Sequence, residues 1–156
     1  MGRVEKSIEI RAPPEKVWEM LALDRFQEWE EEMQKGLTSL QYTSEVRTPK
    51  DKYKMGASGH MNIKEMVMGG EYDFEVTESL ENEKITYHVK KSKTNRTMGI
   101  ITLILEPVDD GTKFTYVYDY FMPWGILGKV LDKVTYRSSE KMQEKWLKKL
   151  KSILEK

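Results

Sequence analysis

From about Trp124 onward, the apolar residues recur at three- and four-residue steps. Leu127, Val130, Leu131, Val134, Met142, Trp146, Leu150, Ile153 and Leu154 follow this pattern, which is the spacing of one helix face. The run predicts a single C-terminal helix of roughly 25–30 residues, longer than the common range of about 8–20. Such a helix must bury its apolar stripe against an equally long surface. The rest of the chain has to supply that surface.

The preceding segments read as strands. Residues 3–11 alternate, with Val4, Ile8 and Ile10 set among charges, and predict a first strand. Ala12-Pro13-Pro14 ends it. Proline is tolerated in a first helical turn, and Glu15 and Glu19 suit the positive end of a helix dipole. Val17, Trp18, Met20 and Leu21 then give a short amphipathic helix. Asp24 can cap a second short helix carrying Phe26 and Trp29.

After Gly36 the period changes to two. Leu40, Tyr42 and Val46 alternate with polar residues, and residues 56–67 resume extended character beyond the Pro49 loop. Tyr72, Phe74 and Val76 alternate with acids. Ile85, Tyr87 and Val89 repeat the pattern, residues 97–105 form the most apolar strand, and Phe114, Tyr116, Tyr118 and Tyr120 share one face of the last. Gly69-Gly70, Glu81-Asn82-Glu83 and Asp109-Asp110-Gly111 are the turns between them. The order is strand, two short helices, six strands, long helix. This is an α+β layout with helices against one face of an antiparallel sheet of six or seven strands. No linker or repeat divides the chain, so residues 1–156 read as one domain.

Composition removes whole classes. The 26 basic and 26 acidic residues cancel, which argues against a general nucleic-acid binder and a polybasic membrane anchor. With no cysteine, disulfides, thiolate catalysis and iron–sulfur clusters are excluded. No apolar run is long enough for a membrane helix, and the first residues lack the apolar core of a signal peptide. The expected compartment is the cytoplasm. Phosphate-binding glycine loops, Gly-x-Ser-x-Gly and His-Glu-x-x-His are all absent, and no cofactor is implied. Leu, Ile, Val and Phe number 35 of 156, a lean supply for a core.

Several local signatures resemble the START-like, or SRPBCC, superfamily, the helix-grip fold of the birch-pollen allergen, polyketide cyclases and lipid-transfer domains. The stretch Val4-Glu-Lys-Ser-Ile-Glu-Ile-Arg-Ala-Pro-Pro-Glu-Lys-Val-Trp-Glu-Met-Leu21 is similar to its first strand and helix. Trp29, Glu75-Val-Thr-Glu78, Leu105-Glu-Pro-Val-Asp-Asp-Gly-Thr112 and Met122-Pro-Trp-Gly-Ile-Leu-Gly128 match its later architectural signatures. The resemblance covers essentially the whole chain. It implies a curved sheet wrapped around the long C-terminal helix, with a cavity between them closed at one end by the short helices. Such motifs mark architecture, and fold does not fix function.

The expected function is therefore binding, or transport, of a hydrophobic small molecule or lipid in that cavity. The expected walls are Tyr72, Phe74, Tyr87 and Leu103 on inner strands and Tyr116, Tyr118 and Tyr120 on the last. Leu131, Val134 and Arg137 are the expected contributions of the long helix. Tyrosines combine apolar area with a hydroxyl, which suits a small-molecule pocket; ordinary sheet packing accounts for them equally well. Arg137 is a candidate partner for a ligand carboxylate. Access is expected near residues 48–56, 66–70 and the start of the helix, where Gly125 and Gly128 permit movement. Met55, Met61, Met66, Met68 and Met98 fit a pliable pocket or plain core filling.

Two alternatives stay open. One is a polyketide cyclase- or aromatase-like enzyme, a cyclase or dehydratase that needs His60 or Asp119 inside beside a tyrosine. By alternation, however, His60, His88 and Asp119 face outward, no catalytic residue is assigned, and no metal-ligand pattern is present. The other is a co-chaperone-like interaction module with a filled core and an exposed patch from Ile100, Ile104 and Trp124. A protein partner is compatible with either.

Overall fold

The computed structural model describes residues 2–21, 41–46, 58–64, 70–121 and 125–155; for 41–46, 59, 61–64, 70, 125–132, 134, 135 and 138 it describes the backbone. The alternating segments become β1 (Gly2–Ile10), β2 (Gln41–Val46), β3 (Ser58–Lys64), β4 (Gly70–Leu80), β5 (Lys84–Lys91), β6 (Arg96–Val108) and β7 (Gly111–Tyr120). They pair antiparallel in one seven-stranded sheet, ordered β1-β7-β6-β5-β4-β3-β2. β2 to β7 form a meander, and β1 returns to lie beside β7. With a long C-terminal helix on its concave face, this is the expected α+β helix-grip architecture.

Turn chemistry sets the hairpins. Asp109 and Asp110 alone join Val108 to Gly111, which face each other across the ladder. Asn82, in the β4–β5 turn, takes a left-handed φ of 63°, a conformation that asparagine tolerates better than most residues. At Gly111 any side chain would run into the Ile10 carbonyl, so β7 can start beside the end of β1 only with glycine. Two irregularities then bend the sheet. Thr77 is skipped between Val76 and Glu78, and Met98 is skipped between Thr97 and Gly99. Such bulges sharpen local twist and re-aim side chains.

α1 (Pro14–Met20) begins with Pro13 as N-cap and proline in its first turn. Val17, Trp18 and the following Leu21 are buried, and α1 packs on β6 and β7. The second short helix expected around Asp24–Trp29 lies outside the described residues.

α2 (Gly125–Leu154) runs for 30 residues. Gln143, Trp146, Leu147 and Leu150 are buried, and Ile153 and Leu154 pack partly against the core, so the apolar period does mark the inward face. Trp146 anchors it. Its ring stacks on Phe114, with centroids 5.4 Å apart and planes at 29°, and meets Tyr116 edge-on at 5.1 Å. α2 also tracks β1, the edge strand. Lys6 Nζ lies 3.6 Å from Glu140 and 3.5 Å from Glu144. Gln143 Nε2 donates to the Val4 carbonyl at 3.1 Å, and Lys151 Nζ donates to the Glu9 carbonyl at 3.1 Å. The Arg11 amide donates to Glu155 at 2.9 Å.

Truncating a buried tryptophan removes its transfer energy and leaves a void, at about 3–5 kcal/mol. Trp146→Ala is therefore expected to lower Tm by roughly 10 °C in a chain of this size. Urea and thermal denaturation check this; near-wild-type stability would mean that another contact seats α2.

Candidate functional site

Registry lays the concave face out in rows. One row runs Val76, Tyr87, Ile101, Tyr118, Val4; the next runs Ile85, Leu103, Tyr116, Lys6. Another runs Phe74, Val89, Gly99, Tyr120, Gly2. Because directly opposed residues share a face, these side chains all point toward the α2 side. Trp146 on Phe114 and Tyr116 fixes which side that is.

Of the expected wall residues, Tyr72, Phe74, Tyr87, Leu103 and Tyr120 are buried. Tyr116 and Tyr118 are half-buried. Leu131 and Val134 lie on α2, and their side chains are outside the described ones. The tyrosines do not form one continuous stack. Tyr87 and Tyr118 share a row but are separated by Ile101, while Tyr118 and Tyr120 approach with centroids at 5.7 Å. The Tyr87 hydroxyl donates to the Leu21 carbonyl at 3.2 Å, tying the sheet to the end of α1.

Arg137 is a correction. It is exposed, and nine residues at 100° each put it half a turn from Trp146, on the outer face of α2. Lys133, Lys141, Lys145 and Lys148 are exposed with it. It therefore contributes no wall and no carboxylate contact to the interior.

The middle of the concave face has an unusual accessibility pattern. Ile85, Leu103 and Phe114 are fully buried. Next to them Met98, Ile101, Tyr116 and Tyr118 keep accessible surface. The Met98 bulge produces part of this, because it sets Met98 against the core beside Gly99, which has no side chain. A Cβ at residue 99 would stand 2.5 Å from Tyr118 Cε2, so the Tyr118 ring rests over that glycine. Protein surrounds the phenol closely enough that burial, with a smaller contribution from Tyr72, pushes it up to about 12. The ring thus keeps accessible surface in a strongly desolvated place.

The polar candidates lie on the other face. His60 Nδ1 is 2.8 Å from Asp73 and 3.5 Å from Ser92 Oγ, and Nε2 is 3.7 Å from Glu71. Asp73 and Glu71 alternate with buried Tyr72 and Phe74, so this cluster is outside. Asp119 takes both Arg3 donors, at 2.8 and 3.2 Å. His88 pairs with Glu75 and Ile100 in the outer rows. Neither His60 nor Asp119 reaches the interior beside a tyrosine. No group of three metal-ligating side chains is present among the described residues, and none of their helices is long and apolar enough to cross a membrane. Ile100 and Ile104 are half-buried, and Trp124 and the expected access segments 48–56 and 66–69 lie outside the described residues. Met98 is the one methionine of the middle-strand group whose side chain is described.

Two interior residues escaped the sequence reading as site residues, Trp146 and Gln143. Both are legible in hindsight from helix phase, because Gln143 interrupts the apolar stripe one turn before Trp146 and Leu147.

A curved antiparallel sheet closed over by one long helix, with an aromatic inner face, defines a helix-grip protein of the SRPBCC type. The chain belongs to the polyketide cyclase/dehydrase and lipid transport family, whose profile matches residues 1–155. A crystal structure of a Mesorhizobium loti protein is similar at 19% identity, with a TM-score of 0.68, over 99% of this chain and 97% of that one. A Chromobacterium violaceum protein is similar at 18% identity and TM-score 0.64, over 100% and 99%. Aha1 from Colwellia psychrerythraea, solved in solution as a dimer, is similar at 17% identity and TM-score 0.63, over 99% and 96%. Comparison with curated proteins finds no match.

The Tyr118 phenol gives a pH prediction. Its folded value, about 12, lies above the ordinary value near 10. Its contribution to stability is complete below pH 10 and is lost as pH rises toward 12, a span worth about 3 kcal/mol. Tyr118→Phe should flatten that part of the alkaline stability curve, measured by urea unfolding between pH 9 and 12. Ultraviolet titration of the wild type should show one tyrosine ionising well after the exposed ones. Gly99→Ala is expected to displace the Tyr118 ring and cost about 1–3 kcal/mol, read in the same denaturation assay.

Proposed function

We propose that residues 1–156 act as one domain that binds or transports a hydrophobic small molecule or lipid between the sheet and α2. One observation carries the reading: Met98, Ile101, Tyr116 and Tyr118 keep accessible surface in the middle of the concave face, where Tyr118 is nonetheless strongly desolvated. Accessible surface in a place that protein desolvates this strongly supports reading it as a cavity wall. A solid core would bury these residues as fully as their neighbours. The family's description, which joins cyclase, dehydrase and lipid-transport proteins, supports an apolar occupant.

The driving force is removal of apolar ligand surface from water, about 25 cal/mol per Å² before ordering costs. Tyrosine hydroxyls on the walls supply orientation. The enzyme reading lacks its expected dyad, because His60 and Asp119 sit on the outer face. The interaction-module reading lacks its expected patch among the described residues, where Ile100 and Ile104 are half-buried.

Two measurements test the proposal. Wild-type protein is expected to bind the neutral dye Nile red with saturable fluorescence enhancement, and native mass spectrometry of protein from its own host should show a co-purified apolar molecule. Ile101→Trp should abolish dye binding at least tenfold while Tm stays within a few degrees, since the added ring fills existing space. Loss of more than about 3 kcal/mol in that variant, the upper end for overpacking, together with a wild type that takes up no dye, would establish a solid core.

A further inference from the structure

The charges of α2 are sorted by face. Glu140 and Glu144 lie 3.6 and 3.5 Å from Lys6 Nζ on β1. Glu155 accepts from the Arg11 amide and lies 3.7 Å from Lys151. Arg137, Lys141, Lys145 and Lys148 point the other way. At 100° per residue they fall within an arc of about 80°, roughly opposite the stripe centred on Gln143, Trp146, Leu147 and Leu150. They run along about 16 Å of helix. All four are exposed, and no acidic residue falls in the arc between them. None of the four makes an ion pair among the described residues.

Such a ridge is unfavourable for the helix that carries it. Lys133 and Arg137, Arg137 and Lys141, and Lys141 and Lys145 are each four residues apart. Like charges at that spacing repel and destabilise a helix. A glutamate at 141 would turn two repulsions into attractions. A face that only had to be solvated would mix its signs, as surfaces usually do. The chain has 26 acidic residues to mix with its 26 basic ones. Zero net charge therefore conceals a one-sign ridge.

The natural counterpart of a straight row of cations is a negatively charged plane. A nucleic-acid binder is expected to be basic as a whole, and this chain is neutral. An apolar cargo, by contrast, is taken from and returned to bilayers. Tyr136, next to Arg137, is 41% exposed, and an exposed tyrosine ring suits the headgroup layer. The ridge itself is polar, so it rests on headgroups and does not insert. We infer that the outer face of α2 docks the protein on the anionic surface of a lipid bilayer, with Arg137, Lys141, Lys145 and Lys148 against lipid phosphates. The choice of a bilayer over another polyanion rests on the container reading above; the ridge does not.

Vesicle co-sedimentation of the full chain tests this. Wild type should bind phosphatidylcholine vesicles that contain about 30 mol% phosphatidylglycerol, and leave pure phosphatidylcholine unbound. Raising NaCl from roughly 0.05 to 0.5 M should release it, because the screening length falls to about 4 Å. Each cation changed to glutamine should weaken binding about fivefold. The quadruple variant Arg137→Gln, Lys141→Gln, Lys145→Gln, Lys148→Gln should therefore lose at least about a hundredfold. Its Tm should not fall, since repulsion is relieved, and its Nile red uptake should match wild type. Should it not fold, Lys141→Gln with Lys145→Gln should still lose about twentyfold. Absent vesicle binding at low salt, equal binding to both vesicle types, or binding that survives in the variants overturns the docking face and leaves the container reading standing. Tighter binding of a single-stranded oligonucleotide than of the vesicles overturns the bilayer as partner. Vesicle binding without Nile red uptake keeps the docking face and overturns the container.

Discussion

The seat of Trp146 between Phe114 and Tyr116 is the contact on which the rest of the molecule depends. A sheet with one apolar face and a helix with one apolar stripe each remain unstable until they cover each other. Trp146 joins them near the C-terminal end of α2, where Leu147 and Leu150 complete the closure. The same helix does a second job. β1 is an edge strand, and an edge carries backbone groups open to pairing with other chains. Gln143, Lys151 and Glu155 reach the backbone of Val4, Glu9 and Arg11. Covering the concave face and protecting the edge are thus one interaction, made by successive turns of α2.

Seating the helix at one end leaves the sheet free to shape the middle. There the chain gives up perfect pairing. Met98 stands outside the ladder, and Gly99 follows it with no side chain. The Tyr118 ring lies over that glycine. A valine or isoleucine at 99 would continue the apolar alternation of β6, but it would displace the ring. The lean supply of Leu, Ile, Val and Phe is consistent with this arrangement, in which tyrosines and a methionine stand where a solid core would have aliphatic side chains.

Much of this was legible in the sequence, and the limits have physical causes. Side-chain parity along a strand is fixed by the pleat, so Phe114 to Tyr120 on one face and His60 and Asp119 on the other could be read directly. Parity does not say which residue lies opposite on the next strand. That depends on hairpin geometry and bulges. The skips at Thr77 and Met98 carry no sequence mark, so which β6 residue stands between Tyr87 and Tyr118, namely Ile101, was not readable. Arg137 failed for a different reason. Its place on the long helix and its fit to a ligand carboxylate suggested the interior, whereas helix phase relative to Trp146 puts it outside. The same phase count would have brought Gln143 inside.

Three interior polar side chains share one property: each is held by something rigid. The Gln143 amide is oriented by a backbone carbonyl of β1. The Tyr118 ring is constrained by Gly99 beneath it and Tyr120 beside it. The Tyr87 hydroxyl is committed to the end of α1. Binding free energy is what remains after side chains have been ordered, at about 0.5–1.5 kcal/mol for each one immobilised. Groups already fixed in the fold avoid most of that cost. An apolar pocket with few but pre-oriented polar groups gains little from flexible charged side chains, and α2 accordingly keeps Lys133, Arg137, Lys141, Lys145 and Lys148 on its solvent face. The division between a neutral, fixed interior and a charged exterior follows from the phase of one helix.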